Sequence, residues 1–265
     1  EFEERIFIAL TKIMKNNNYS RSFVVSANEI LETLGLSNKA YYKRIREALT
    51  LLSKTNYTFL NSLYSNKESG IIEKKIMSNI MNITIISKKD SRAKEIEAFE
   101  DGRIKEVYEI NFTDYFYENI IRKGYLAFDS GKLLAIENSV SRAIYTIVEK
   151  WRGYDLYIKR QAFFIARRIP LKWDKTQIKR TIDTMEKALI ELKNLNLIKD
   201  YKIIKEKKWE LAEIEITYEE SHNKTKRDTF FTEKNEFNSM DMLVTSTEEK
   251  IKCISEDFHS GEISE

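Results

Sequence analysis

The sequence predicts an α+β fold of two tandem winged-helix modules, each a helix-turn-helix with a β-hairpin wing, and a disordered acidic tail. Three observations predict it. The segments Ser37–Leu52 and Asp174–Leu189 carry one pattern twice: Tyr41, Ile45, Ala48 and Leu52 fall on Ile178, Ile182, Met185 and Leu189. Each copy opens on an N-cap residue type, Ser37 or Asp174. A β-prone stretch follows each copy, and beyond Tyr218 the apolar residues thin and lose their period. Residues 1–130 are therefore expected to form an N-terminal module with an extended β wing, and 131–218 a second module. Residues 219–265 make the tail.

Each element has its own signal. Phe2, Ile6, Ala9, Leu10, Ile13 and Met14 share one helical side, so Phe2 to Met14 is expected to be a helix. Phe23–Val25 is a short apolar strand, and Ser26 caps a helix to Leu34 that Gly35 stops. A tight turn leads into the helix Asn38–Ser53. Tyr57–Tyr64 and the isoleucine-rich Ile71–Ile86 read as two β arms around a turn at Ser65–Gly70, which makes them the first wing. Lys88–Gly102 is charged and reads as a mobile loop, and Val107–Phe112 resumes as a strand.

Asp114–Arg122, Leu133–Ile136 and Ser139–Arg152 read as helices, the last opening the second module. Tyr157–Arg168 permits either a helix or a strand followed by a helix. Pro170 and Trp173 lie in the turn before the second basic-faced helix, Lys175 to about Leu192. Leu197–Ile204 and Trp209–Tyr218 form the second wing.

The balance of charge is uneven. From Glu219 on there are 12 acidic and 6 basic residues, which leaves 39 basic against 30 acidic residues before it. A basic body suits a polyanionic partner. The single cysteine, Cys253, permits no disulfide within the chain, and no apolar run approaches the ~18 residues of a membrane span. A cytoplasmic protein with no membrane partner is expected.

Steps of 100° place Lys39, Lys43, Arg46 and Thr50 on the outward face of the first repeated helix, beside Ala40 and Glu47. On the second, Thr176, Lys179, Arg180, Asp183 and Lys187 face outward. Arg and Lys can donate to guanine edges in a major groove, and short residues let the backbone approach. One such helix alone is most simply a solvated charged face. Two of them, in helix-turn-helix order and each with a wing, read as a double-stranded-DNA-binding surface. The wings add Lys67, Lys74 and Lys75, then Lys202, Lys205, Lys207 and Lys208, which suit phosphates. Arg160, Arg167 and Arg168 could grip phosphates and serve equally well as ordinary surface arginines.

Catalytic chemistry finds no home. Both histidines, His222 and His259, lie in the tail. No G-x-x-x-x-G-K-[ST] loop occurs, and one cysteine makes no zinc cluster. The chain is expected not to be an enzyme and to need no cofactor or metal.

The stretch Y-E-I-N-F-T-D-Y-F-Y-E-N-I-I-R-K-G-Y-L-A-F-D (Tyr108–Asp129) and then L-L-A-I-E-N-S-V-S-R-A-I-Y-T-I-V-E-K-W (Leu133–Trp151) resembles plasmid replication initiators. The likeness is greatest to the initiator A group of theta-replicating bacterial plasmids. Ser139, Ala143 and Tyr145 sit where that family begins its second winged helix, and R-I-R-E-A-L (Arg44–Leu49) is similar to its first reading helix. The resemblance spans Phe2 to Tyr218. It implies two winged helices that bind direct repeats (iterons) at a replication origin and regulate their own promoter. It also implies exchange between a homodimer and a monomer, and recruitment of the host initiator and helicase. By position, Ile71–Ile86 is the dimer surface, with a plain intramolecular sheet as the alternative. A winged-helix repressor of plasmid or phage origin and a winged-helix protein-interaction module are the rival readings.

Overall fold

The computed structural model describes residues 1–60, 64–65, 70–71, 75–96, 102–121, 128–169, 171–205 and 207–223. Helix α1 (Phe2–Asn16) buries Phe2, Ile6, Ala9, Leu10, Ile13 and Met14 on one stripe, and carries Glu3 and Glu4 in its first turn and Lys15 in its last. Strand β1 (Ser22–Ser26) runs into α2 (Ala27–Thr33), where the Ser26 hydroxyl accepts from the Glu29 amide at 3.2 Å. Gly35, at φ +71°, ends this helix, and the Leu36 amide donates to the Leu31 carbonyl at 2.9 Å.

Helix α3 (Tyr41–Lys54) buries Ile45, Ala48, Leu49 and Leu52. It starts three residues later than the sequence suggests, because Ser37 does not cap it. Instead the Asn38 side chain accepts from the Ala40 amide at 2.9 Å, and a turn closed by the Tyr41 amide on the Asn38 carbonyl leads into the helix.

The two arms expected to form the first wing do pair with each other, but the second arm is shorter than expected. Strand β2 (Tyr57–Leu60) pairs with β5 (Lys75–Ser78), and β3 (Tyr64–Ser65) with β4 (Gly70–Ile71), in a ribbon inserted after α3. The isoleucine-rich run then breaks at Asn79. Strand β6 (Met81–Ser87) joins β7 (Glu106–Phe112) and β1 in a separate antiparallel sheet of order β1-β7-β6. The Asn79 side-chain amide reaches the Ser53 carbonyl at 3.3 Å, and the Thr113 amide donates to the Ile80 carbonyl at 2.9 Å. These bonds fasten the break between the end of α3 and the start of α4 (Asp114–Ile121).

The hairpin that closes the sheet is therefore β6–β7. Its connection, expected to be a mobile charged loop, begins as a folded cap at 88–96. Asp90 caps a 3-10 turn at Ser91–Glu95, Arg92 pairs with Glu109 at 3.0 Å, and Ala93 packs with Ile86 and Val107. Residues 97–101 of that loop lie outside the described residues, as do Lys67, Lys74 and Pro170.

The second half repeats this order. After α5 (Ser130–Ala135) come α6 (Ser139–Arg152), β8 (Tyr157–Gln161), α7 (Ala162–Ala166), α8 (Ile178–Asn194), β9 (Asp200–Ile204) and β10 (Glu213–Thr217). Its sheet order, β8-β10-β9, matches β1-β7-β6 position for position. The stretch that permitted two assignments is a strand followed by a helix. Asp174, like Ser37, is not the cap of the following helix. It accepts from the Thr176 amide and hydroxyl in a turn ahead of α8. The two long helices begin at Tyr41 and Ile178, positions equivalent in the repeated pattern.

Two cores underlie the halves. Leu134 packs into the first with α1, α2 and α3, whereas Ile136 packs into the second with α6 and α8. The second core also holds the beginning of the stretch expected to be tail. Asn223 is 2% exposed, accepts from Arg152 at 2.8 Å and donates to the Tyr154 carbonyl. His222 meets the Tyr218 ring edge-on. Residues 224–265, including Cys253 and His259, lie outside the described residues. No helix among the described residues is long and apolar enough to cross a membrane.

Candidate nucleic-acid interface

Burial of Ile45, Ala48, Leu49 and Leu52 fixes the rotation of α3 and turns Lys43 and Arg46 to solvent, whereas Lys39, expected on the helix face, is exposed in the turn before it. Lys43 is 86% exposed in its side chain and lies 3.9 Å from Glu47, one turn on. An exposed pair of that length is worth well under ~1 kcal/mol, so an incoming phosphate can displace it. Arg46 is held differently. Its guanidinium lies 3.5 Å from Glu106 at the start of β7, and Glu106 also accepts from the Tyr108 hydroxyl at 2.6 Å. Burial, and then the adjacent Glu106, push the Tyr108 hydroxyl well above the usual phenol range, so it stays a donor. The half-buried Thr50 hydroxyl donates to the Arg46 carbonyl. Arg44 stacks 4.3 Å above the Phe2 ring and so faces α1.

Helix α8 is arranged alike. Ile178, Thr181, Ile182, Met185, Ala188, Leu189 and Leu192 are buried, and Lys179, Arg180, Asp183 and Lys187 are exposed. Arg180 lies 3.5 Å from the Gln177 carboxamide. Thr176 is exposed in the turn before the helix. Its amide and then its hydroxyl hold the Asp174 carboxyl below the usual carboxylate range. Arg167 follows α7 and lies 5.5 Å from the Phe163 ring, and Arg168 is exposed beside it. Arg160 is exposed on β8, with its guanidinium donating to the Lys159 carbonyl.

The wing lysines separate into two sets. Lys205 lies 4.8 Å over Trp209, and Lys202, Lys207 and Lys208 are exposed around the β9–β10 connection. In the first half Lys75 is exposed on the inserted ribbon, not on the β6–β7 hairpin. The hairpin connection carries Lys88, Lys89, Lys94, Arg103 and Lys105, all exposed. The sequence reading missed these five because it placed the wing upstream. Arg103 and Lys105 share a cleft of about 520 Å³ with Lys39, Asn28 and Tyr42. It lies between the entry to α3, the start of α2 and the root of the hairpin. The Tyr42 hydroxyl donates to Asn28 on its wall at 3.2 Å. Three cations and the Asn28 carboxamide around one cleft can hold a phosphodiester, with Glu106 setting a repulsive limit on one side.

No family model matches this sequence, and no curated protein sequence matches it. Among solved structures the chain is similar to domains 2 and 3 of RctB (residues 155–483), with a TM-score of 0.53 at 13% identity over 84% of each chain. A selenomethionine derivative of the same two domains gives a TM-score of 0.51 at 14% identity, over 81% of this chain and 80% of that one. At such identity the likeness is one of fold, and it extends over both halves of the molecule.

Proposed function

We propose that the protein is a non-enzymatic replication initiator that binds repeated double-stranded DNA at an origin. In this reading each half is a winged helix. Helices α3 and α8 read the major groove, and the hairpins β6–β7 and β9–β10 hold the flanking phosphates. The observation that carries it is the repetition of one element order and one sheet order, each presenting an exposed basic helix over a buried apolar back. The likeness to domains 2 and 3 of RctB supports a fold shared over both halves. The resemblance of Tyr108–Trp151 to plasmid initiators supplies the finer terms: iterons, promoter autoregulation, and recruitment of the host initiator and helicase. A homodimer would form through Ile71–Ile86, whose last part, β6, is an edge strand of the first sheet.

Binding selection from random duplex, followed by footprinting of Lys43→Ala and Arg180→Ala, tests the proposal. Each variant should lose about 1–3 kcal/mol on the selected site and relax preference at the bases it reads. Unchanged affinity and preference in both would remove α3 and α8 as readers. Replication of a selectable circle carrying the gene and its adjacent repeats then separates an initiator from a repressor.

A further inference from the structure

Only a short run of chain separates the two cores, yet the contacts across it are specific. Leu134 belongs to the first core and Ile136 to the second. The Arg142 side chain, on α6, is fully buried. Its guanidinium donates to the Ile136 and Glu137 carbonyls and, across the boundary, to Glu4 of α1 at 2.9 Å. From the other side Glu191 of α8 closes the junction. One of its carboxylate oxygens accepts from the Glu137 amide at 2.7 Å and the Asn138 amide at 3.2 Å, and the other from the Ser141 hydroxyl.

These contacts form a continuous mechanical path. Helix α3 packs on α1, α1 is tied to α6 by Glu4–Arg142, and α6 is tied to α8 by Glu191. A buried guanidinium cannot drift from its carboxylate without leaving an uncompensated charge, so this link resists rotation more than apolar packing alone would.

We propose that Arg142 and Glu4 are positioning residues that set the spacing and rotational phase at which α3 and α8 meet one duplex. They touch no base. They convert two separate weak contacts into one bidentate contact, but only for half-sites at one separation. This rests on the proposal that both helices read DNA, and it adds how the pair selects a repeat of one length.

The test uses the full chain with Glu4→Gln and Glu4→Lys. Glu4→Gln keeps an oxygen acceptor for the Arg142 guanidinium, whereas Glu4→Lys places a like charge beside it, and a melt of each variant checks that both modules remain folded. A site selected by the wild type is compared with single half-sites and with versions carrying inserted base pairs. Two inserted base pairs turn one half-site by about 70° relative to the other and should cost the wild type about 10-fold or more in affinity. Glu4→Lys should flatten that dependence to within about 3-fold while leaving half-site affinity unchanged, with Glu4→Gln intermediate. A merely structural role would lower half-site and full-site affinity together, and that result overturns the proposal. So would spacing profiles of both variants that superimpose on the wild type. If the wild type selects no duplex at all, the DNA-binding proposal itself fails, which is a distinct outcome.

Discussion

Replacing Asn223 by alanine should destabilise the second module although Asn223 lies beyond its last strand. The Arg152 side chain is 1% exposed and is already held by Glu149, with nitrogen–oxygen distances of 2.7 and 2.9 Å. It stacks 3.9 Å over Tyr218 and donates to the Asp155 carbonyl and to the Asn223 side chain. The substitution removes that charge-assisted bond, worth about 1.5–3 kcal/mol, and the neutral bond to the Tyr154 carbonyl, worth about 1 kcal/mol. Water entering at the last described turn recovers part of this, leaving about 2 kcal/mol. For a module of this size each kcal/mol moves the midpoint by about 4–8 °C, so a fall of about 8–16 °C is expected. Calorimetry on the intact chain reads it directly. Two truncations sharpen the test: a chain ending at Asn223 should melt like the full protein, and one ending at Tyr218 like the alanine variant. A midpoint for Asn223→Ala within about 2 °C of wild type would refute the assignment of this segment to the folded body.

Three further outcomes are expected. Met185 is fully buried at the centre of the second core, and Met185→Ala should cost about 2–5 kcal/mol by denaturant titration while leaving the first module's transition in place. If about six basic side chains of the two reading helices and the Arg103–Lys105 cleft neutralise phosphates, log affinity should fall with log salt at a slope near −5. Gel shifts from low to moderate salt measure this, and a flat response would favour a protein partner over DNA. Asp174 is held below its ordinary range by its Thr176 bonds. The turn before α8 therefore keeps its full benefit above the unfolded carboxylate value of about 3.9 and loses it only as pH falls through the lower folded value. An NMR titration of the Thr176 amide should accordingly show a midpoint below that of a free aspartate; one at or above it would contradict the bond.

Much of the local structure was legible because its causes are local. A 3.6-residue apolar period places α1 and α6, Ser26 offers its hydroxyl to the next helix, and Gly35 supplies the left-handed turn that stops it. The repeated pattern placed the two long helices in equivalent registers, and their buried stripes fixed which lysines face solvent. What the sequence left undetermined depends on partners far along the chain. Ile71–Ile86 is β-prone throughout, and no period says where it divides. Asn79, bonded to the end of α3, divides it, and so decides which hairpin closes the three-stranded sheet and which lysines sit there. The apolar period of α6 assigns no role to Arg142 or Arg152. Arg142 is buried with Glu4, 138 positions away, and Arg152 with Glu149 on its own helix and with Asn223, 71 positions away. A charged group can leave water only when such a partner arrives, and its arrival is a property of the tertiary fold.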